Sequence, residues 1–284
     1  MSAIRKKELI EFLSLEKDSE IEELRKRAYS KMVQKVGEKV YLRGLVEFSN
    51  ICSSDCYYCG IRKSNNNIER YRLSEEQILN AAKWAADNGF GSMVLQSGEL
   101  NSPAFTDYVE NIIIRIKEET TSPDLPRGLG ITLSIGEQDY DSYRRFYKAG
   151  AHRYLLRIES SSERHFTRLH PDEQLFETRM NCLRMLNNIG YQVGTGIMIG
   201  FPQQTVEDLA DDILFMKNFD IDMVGMGPFL IHEHTPMAEY IDEWRIRKDE
   251  ITKLALKMIA ATRLAMPDIN IASTTALETI NKNG

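Results

Sequence analysis

Seven short strand-like segments recur along the chain, and a stretch of helical patterning, never a tight hairpin turn, separates each from the next. They run Tyr41–Phe48, Ser92–Ser97, Gly130–Ile135, Arg153–Ile158, Gly194–Ile199, Asp222–Gly227 and Ile269–Thr274. Several are near-continuous apolar runs, as strands buried on both faces are. Such alternation predicts a parallel sheet with helices outside it. The helices between have legible ends. Ser74 with Gln77 forms a capping box and Gly89 stops that helix, while Ser102-Pro103 starts the next. Gly150 and Gly190 close two more, and Thr205 with Asp208 opens a fifth. The expected fold is α/β, a TIM-type (β/α) barrel of parallel strands.

No linker or low-complexity segment interrupts the chain, so residues 1–284 read as one domain. Residues 1–38 form an N-terminal helical extension, patterned by Leu9, Ile10, Phe12 and Leu13 and then by Ile21, Leu24, Ala28 and Met32. The barrel occupies 39–284 and lacks its eighth unit. Ala276-Leu277-Glu278-Thr279-Ile280 reads as a loop leading onward, so a truncated barrel with its closing unit missing is expected.

Composition enters through its cysteines. There are four, and three lie together in Cys52-Ser53-Ser54-Asp55-Cys56-Tyr57-Tyr58-Cys59, directly after the first strand. This is no disulfide framework. Three thiolates in one loop can hold a cubane iron–sulfur cluster, which takes four when fully ligated. The fourth iron is then open to a small chelating ligand. A zinc site is the competing reading, but structural zinc prefers four protein ligands, and no histidine or further cysteine lies near the loop. Cys182, between Met180 and Leu183, reads as a buried small hydrophobe. His232 and His234 read as part of a solvated loop.

The chain has a net charge of −6, and its basic residues alternate with acids, which points away from nucleic acid. No run approaches the ~18 apolar residues of a membrane span, and the N-terminus lacks a signal peptide's apolar core. A cytoplasmic monomer that touches neither nucleic acid nor membrane is expected.

Cys-x3-Cys-x-aromatic-Cys after a first barrel strand resembles the radical S-adenosylmethionine (SAM) superfamily. Within it the chain is similar to the FeFe-hydrogenase maturase family HydE. The likeness rests on Glu47-Phe48-Ser49-Asn50, Arg70-Tyr71-Arg72, Val94–Glu99, Tyr154-Leu155-Leu156-Arg157 and Asp222–Phe229. It implies one 4Fe–4S cluster on Cys52, Cys56 and Cys59, with SAM bound to the open iron and cleaved reductively to a 5′-deoxyadenosyl radical. Tyr58 would lie beside the adenine, and Gly98 and Glu99 would receive the SAM amino group. Arg179 would pair with the SAM carboxylate, and Glu159 would face the sulfonium side. Ser134 belongs to the same SAM-binding group at the strand ends.

Arg157, Thr274 and Thr275 would bind an anionic or cyanide-bearing substrate. That substrate would be small or organometallic, an iron complex made by a partner enzyme. HydG and HydF, with ferredoxin or flavodoxin as reductant, would be partners. Simpler readings remain beside these. Glu99 could be an exposed strand-end residue, Arg179 a helix-surface arginine paired with Glu177 or another neighbour, and Arg157 the partner of Glu159. A methylornithine synthase-like mutase and a non-catalytic iron–sulfur or zinc scaffold are the other functional readings. Biotin synthase activity is disfavoured, because no strand carries a cysteine for a second cluster.

Overall fold

The computed structural model describes residues 4–280. Two helices come first, α1 (Lys6–Leu13) and α2 (Asp18–Val36). Strands and helices then alternate: β1 (Gly44–Ser49), α3 (Glu75–Asp87), β2 (Ser92–Ser97), α4 (Pro103–Glu119), β3 (Gly130–Ser134), α5 (Tyr140–Ala149) and β4 (Arg153–Leu155). Two helices, α6 (Glu163–Leu169) and α7 (Phe176–Ile189), precede β5 (Gln192–Ile199). The chain continues through α8 (Val206–Asn218), β6 (Met223–Pro228), α9 (Ile241–Ala265), β7 (Asn270–Ala272) and α10 (Thr275–Ile280). This is the α/β, TIM-type arrangement of parallel strands returned by helices.

Two compact units divide the chain. The first comprises Tyr41–Leu156 and His170–Val193. In it β1, β2, β3 and β4 pair in chain order, all parallel. Met93, Leu95, Ile131 and Leu133 are buried along β2 and β3, as are Ile78 and Ala82 of α3 and Ile112, Ile113 and Ile116 of α4. At the end of β1 the register slips between Glu47 and Ser49. A slip of this kind re-aims the chain, and here it does so immediately before the cysteines.

The second unit takes in the described residues of Met1–Val40, Arg157–Leu169 and Gly194–Gly284. In it β5 pairs with β6 and β6 with β7, again parallel. Helix α1 packs on α8 and α2 on α9, where Leu24 and Ala28 meet Ala260.

The caps form where the sequence places them. Ser74 and Gln77 bond reciprocally at the start of α3, and Thr205 and Asp208 do so at the start of α8. Ser102 caps α4 with Pro103 as its first residue. Gly150 and Gly190 close α5 and α7 in the left-handed conformation.

Two expectations need correction. Thr275–Ile280 is the helix α10, not a loop, and Leu277 buries its one apolar face. The fourth strand ends at Leu155 rather than Ile158. There the amides of Ile158 and Glu159 both reach the Gly196 carbonyl, and Glu159 takes a φ of +65° that no strand ladder accommodates. Among the described residues no helix is long and apolar enough to cross a membrane.

Candidate functional site

In the first unit the cysteine loop hangs from β1 and is shaped by two charged side chains. Arg70 reaches across it and donates to the carbonyls of Asn50 (2.7 Å), Ile61 (2.8 Å), Arg62 (2.6 Å), Lys63 (3.5 Å) and Asn65 (3.1 Å). Only a guanidinium offers enough donors in one plane for this. Asp55, inside the motif, receives both arms of Arg62 at 2.8 and 2.7 Å and the backbone and hydroxyl of Ser64 at 3.0 and 2.8 Å. Burial would raise its carboxyl, but Arg62 and Ser64 outweigh that and hold it at about 2.

Cys52, Cys56 and Cys59 are each partly buried on this loop. Backbone N–H groups of Ser54 and Glu99 point at the Cys52 sulfur from 3.4 and 3.3 Å. Burial raises the Cys52 thiol above its ordinary value, against those two donors. Burial and the neighbouring Cys59 push Cys56 up to about 12. Thiols so placed lose their protons when a cation replaces them, so the donor set fits an iron–sulfur cluster. Among the described residues no three His, Cys, Asp or Glu groups converge as a single metal ion needs. A cluster differs in taking each thiolate on a separate iron.

Glu99 follows β2 and is tied to the loop at both ends. Its carbonyl accepts from the backbone and the hydroxyl of Ser53, each at 2.8 Å. Its carboxylate accepts from Ser54 Oγ at 2.5 Å and from the Glu137 amide at 2.7 Å. Two glycines make room. A Cβ at Gly98 would lie 2.8 Å from Cys52 Cβ, and one at Gly136 would collide with the Glu99 side chain. Gly98 therefore serves by close approach.

Arg179 of α7 is buried, and its Nε donates to Glu137 Oε1 at 2.6 Å. Burial opposes the charge on Arg179, yet Glu137 beside it keeps the guanidinium firmly protonated. Burial raises the Glu137 carboxyl in spite of Arg179. Glu177 pairs with Arg184 instead, at 2.6 Å. Arg179 is thus no surface arginine paired with Glu177.

Tyr58 meets the buried His170 edge to face at 5.6 Å, with its hydroxyl 3.5 Å from His170 Nε2. Ser134 ends β3 opposite Gln96 of β2. Gln174 Oε1 accepts from Cys56 Sγ at 3.3 Å. Sequence reading passed over Gln174, His170 and Ser54, whose contacts arise only once the chain is folded. Cys182 is buried in α7 and points at the Gln138 carbonyl, 3.7 Å away.

In the second unit Arg157 and Glu159 pair, Nη2 and Nε lying 3.0 and 3.2 Å from Oε2. Arg157 also donates to the Ile197 carbonyl at 2.9 Å. Thr274 follows β7 and donates to the Met226 carbonyl of β6 at 3.2 Å. Thr275 is the exposed first residue of α10. His232 and His234 lie near each other on an exposed loop, ring centres 5.8 Å apart.

A family model described as the radical SAM superfamily matches residues 46–216. The FeFe hydrogenase maturase subunit HydE of Thermotoga maritima is 43% identical over 250 residues, covering 88% of this chain and 67% of that protein. The 3-methylornithine synthase of Methanosarcina acetivorans is 29% identical over 272 residues, covering 95% of this chain and 72% of that protein. Among solved structures, methylornithine synthase (PylB) superposes with a TM-score of 0.84 at 26% identity, covering 99% of this chain and 80% of that one.

Proposed function

Because the chain belongs to the radical SAM superfamily and is a radical SAM enzyme, we propose that it holds one 4Fe–4S cluster and uses it in maturation of the FeFe-hydrogenase active site. Cys52, Cys56 and Cys59 would hold three irons and leave the fourth for the amino and carboxylate groups of SAM. The bound cluster would supply the electron that breaks a carbon–sulfur bond of SAM and yields a 5′-deoxyadenosyl radical. What carries the cofactor reading is the set of three partly buried thiols on one loop, shaped by Arg70 and Asp55. The 43% identity to HydE carries the step from cofactor to maturation.

The remaining roles follow from charge and position. Glu99, fixed by Ser54 and the Glu137 amide, offers a carboxylate to the SAM ammonium. Arg179 would offer its planar guanidinium to the SAM carboxylate, the geometry that suits an arginine–carboxylate pair. Glu137 keeps that buried guanidinium from standing unpaired. Gly98 and Ser134 line the same strand ends, and Tyr58 takes the adenine. Glu159 faces the SAM sulfonium side, while Arg157, Thr274 and Thr275 supply charge and hydroxyls for the substrate, an iron complex delivered by a partner such as HydG or HydF. A ferredoxin or flavodoxin would supply electrons.

Anaerobic reconstitution tests the cofactor. Cys52→Ala, Cys56→Ala and Cys59→Ala should each abolish iron–sulfur absorption, and Cys182→Ala should keep it. Stoichiometric zinc without such absorption, before and after reconstitution, would defeat the reading. Restoration of hydrogenase activity in a maturation mixture lacking HydE tests the reaction. The superposition on methylornithine synthase supports a second reading, a radical mutase acting on an amino acid. Appearance of 3-methylornithine, with no effect on hydrogenase maturation, would favour it.

A further inference from the structure

Beyond Glu159 the chain runs through Ser160, Ser161 and Ser162 into α6, and Asp212 of α8 lies against this stretch. Asp212 and Ser160 have no exposed surface. The Asp212 Oδ1 atom accepts the Ser161 amide at 2.6 Å, the Ser161 hydroxyl at 2.6 Å and the Ser160 hydroxyl at 3.4 Å. Ser160 Oγ in turn accepts the Ser162 amide at 3.3 Å. Among the described residues Asp212 Oδ2 is buried with no hydrogen-bond partner.

This is a costly way to hold a loop. Burial pushes the Asp212 carboxyl up to about 7, although Ser161 pulls the other way, and a carboxylate with an orphaned oxygen is expensive to bury. Packing alone would be served by an apolar side chain. What the clamp does fix is the neighbouring backbone. Glu159 sits at a φ of +65°, a region a non-glycine residue enters only when its surroundings hold it there. Its amide reaches the Gly196 carbonyl at 2.9 Å and its own carbonyl receives the Met198 amide at 3.0 Å. Asp212 secures the chain on the far side. So held, the Glu159 carboxylate lies 3.0 Å from Arg157.

We propose that Asp212 is a positioning residue that, through Ser160 and Ser161, fixes the direction of the Glu159 carboxylate and of the Arg157 side chain paired with it. The inference rests on the reading above that Glu159 faces the SAM sulfonium side.

Equilibrium dialysis of SAM against reconstituted holoenzyme tests it, with Asp212→Ala, Asp212→Asn, Glu159→Ala and the Asp212→Ala/Glu159→Ala double variant. Asp212→Ala should weaken SAM binding about tenfold, within the range seen for residues sharing one network. Iron content and circular dichroism should stay unchanged. Asp212→Asn keeps the oxygen that Ser161 uses and should restore most of the affinity. With Glu159 already replaced, removing Asp212 should cost nothing more. An equal loss in both backgrounds would make the clamp merely structural and overturn the proposal. So would an Asn variant as weak as the Ala variant. Normal binding by Asp212→Ala beside weakened binding by Glu159→Ala would sink the proposal and spare the role of Glu159. Normal binding by Glu159→Ala would end both. Should Asp212→Ala fail to fold, Ser161→Ala carries the same two-background comparison, with an expected loss of about threefold.

Discussion

Single side chains with several partners do most of the shaping in this protein. Arg70 is the clearest, since five carbonyls of the cysteine loop converge on its guanidinium. A lysine keeps the charge but brings three donors on a flexible stem and cannot span them. Arg70→Lys should therefore bind roughly half as much iron after reconstitution or less, measured per folded chain. Asp212 gives a prediction of a different kind. Burial pushes its carboxyl up to about 7 in the folded protein from the ordinary aspartate value of 3.8, so the folded state holds this proton more tightly than the unfolded state does. Its contribution to stability is full below about pH 3.8 and is lost as pH rises towards about 7. Asp212→Asn should remove that dependence. Its melting temperature should gain on that of the parent protein steadily between these pH values, and parallel curves would disprove the shift.

At the scale of elements, the sequence reports what is local and omits what is not. The capping box of Ser74 and Gln77 was legible because both partners lie within one turn. Ser74→Ala should cost about 1 kcal/mol, seen as a lower urea midpoint with unchanged iron content. All seven strands lie within three residues of their expected bounds, because apolar runs between glycines and caps are local too. The fourth strand was read too long, since no pattern in Leu156-Arg157-Ile158 reveals that two successive amides will share the Gly196 carbonyl. Helix α10, six residues long, is too short for helical periodicity to register. The site divides in the same way. Cysteine spacing is written in eight consecutive residues, whereas Gln174 reaches Cys56 across 118 positions and has no motif of its own. Arg179 showed as an arginine on a helix, but only the folded chain reveals Glu137 as its partner.

Across the whole molecule, the cysteine loop, Tyr58, Gly98, Glu99, Ser134 and Arg179 belong to one compact unit, and Arg157, Glu159, Thr274 and Thr275 to the other. Thr274 tests whether substrate handling can be disturbed by itself. Thr274→Val preserves shape and deletes the hydroxyl that bonds to Met226. It should reduce substrate-dependent 5′-deoxyadenosine release roughly tenfold, the size of one lost polar contact, and leave iron content and SAM affinity as they were. A parallel loss of iron would contradict that independence. The partition also bears on inheritance. On the roles proposed above, with Glu159 the SAM contact in the second unit, a lineage could keep its cysteine loop intact while mutation explores Arg157, Thr274 and Thr275, so new chemistry could arise without first dismantling the old.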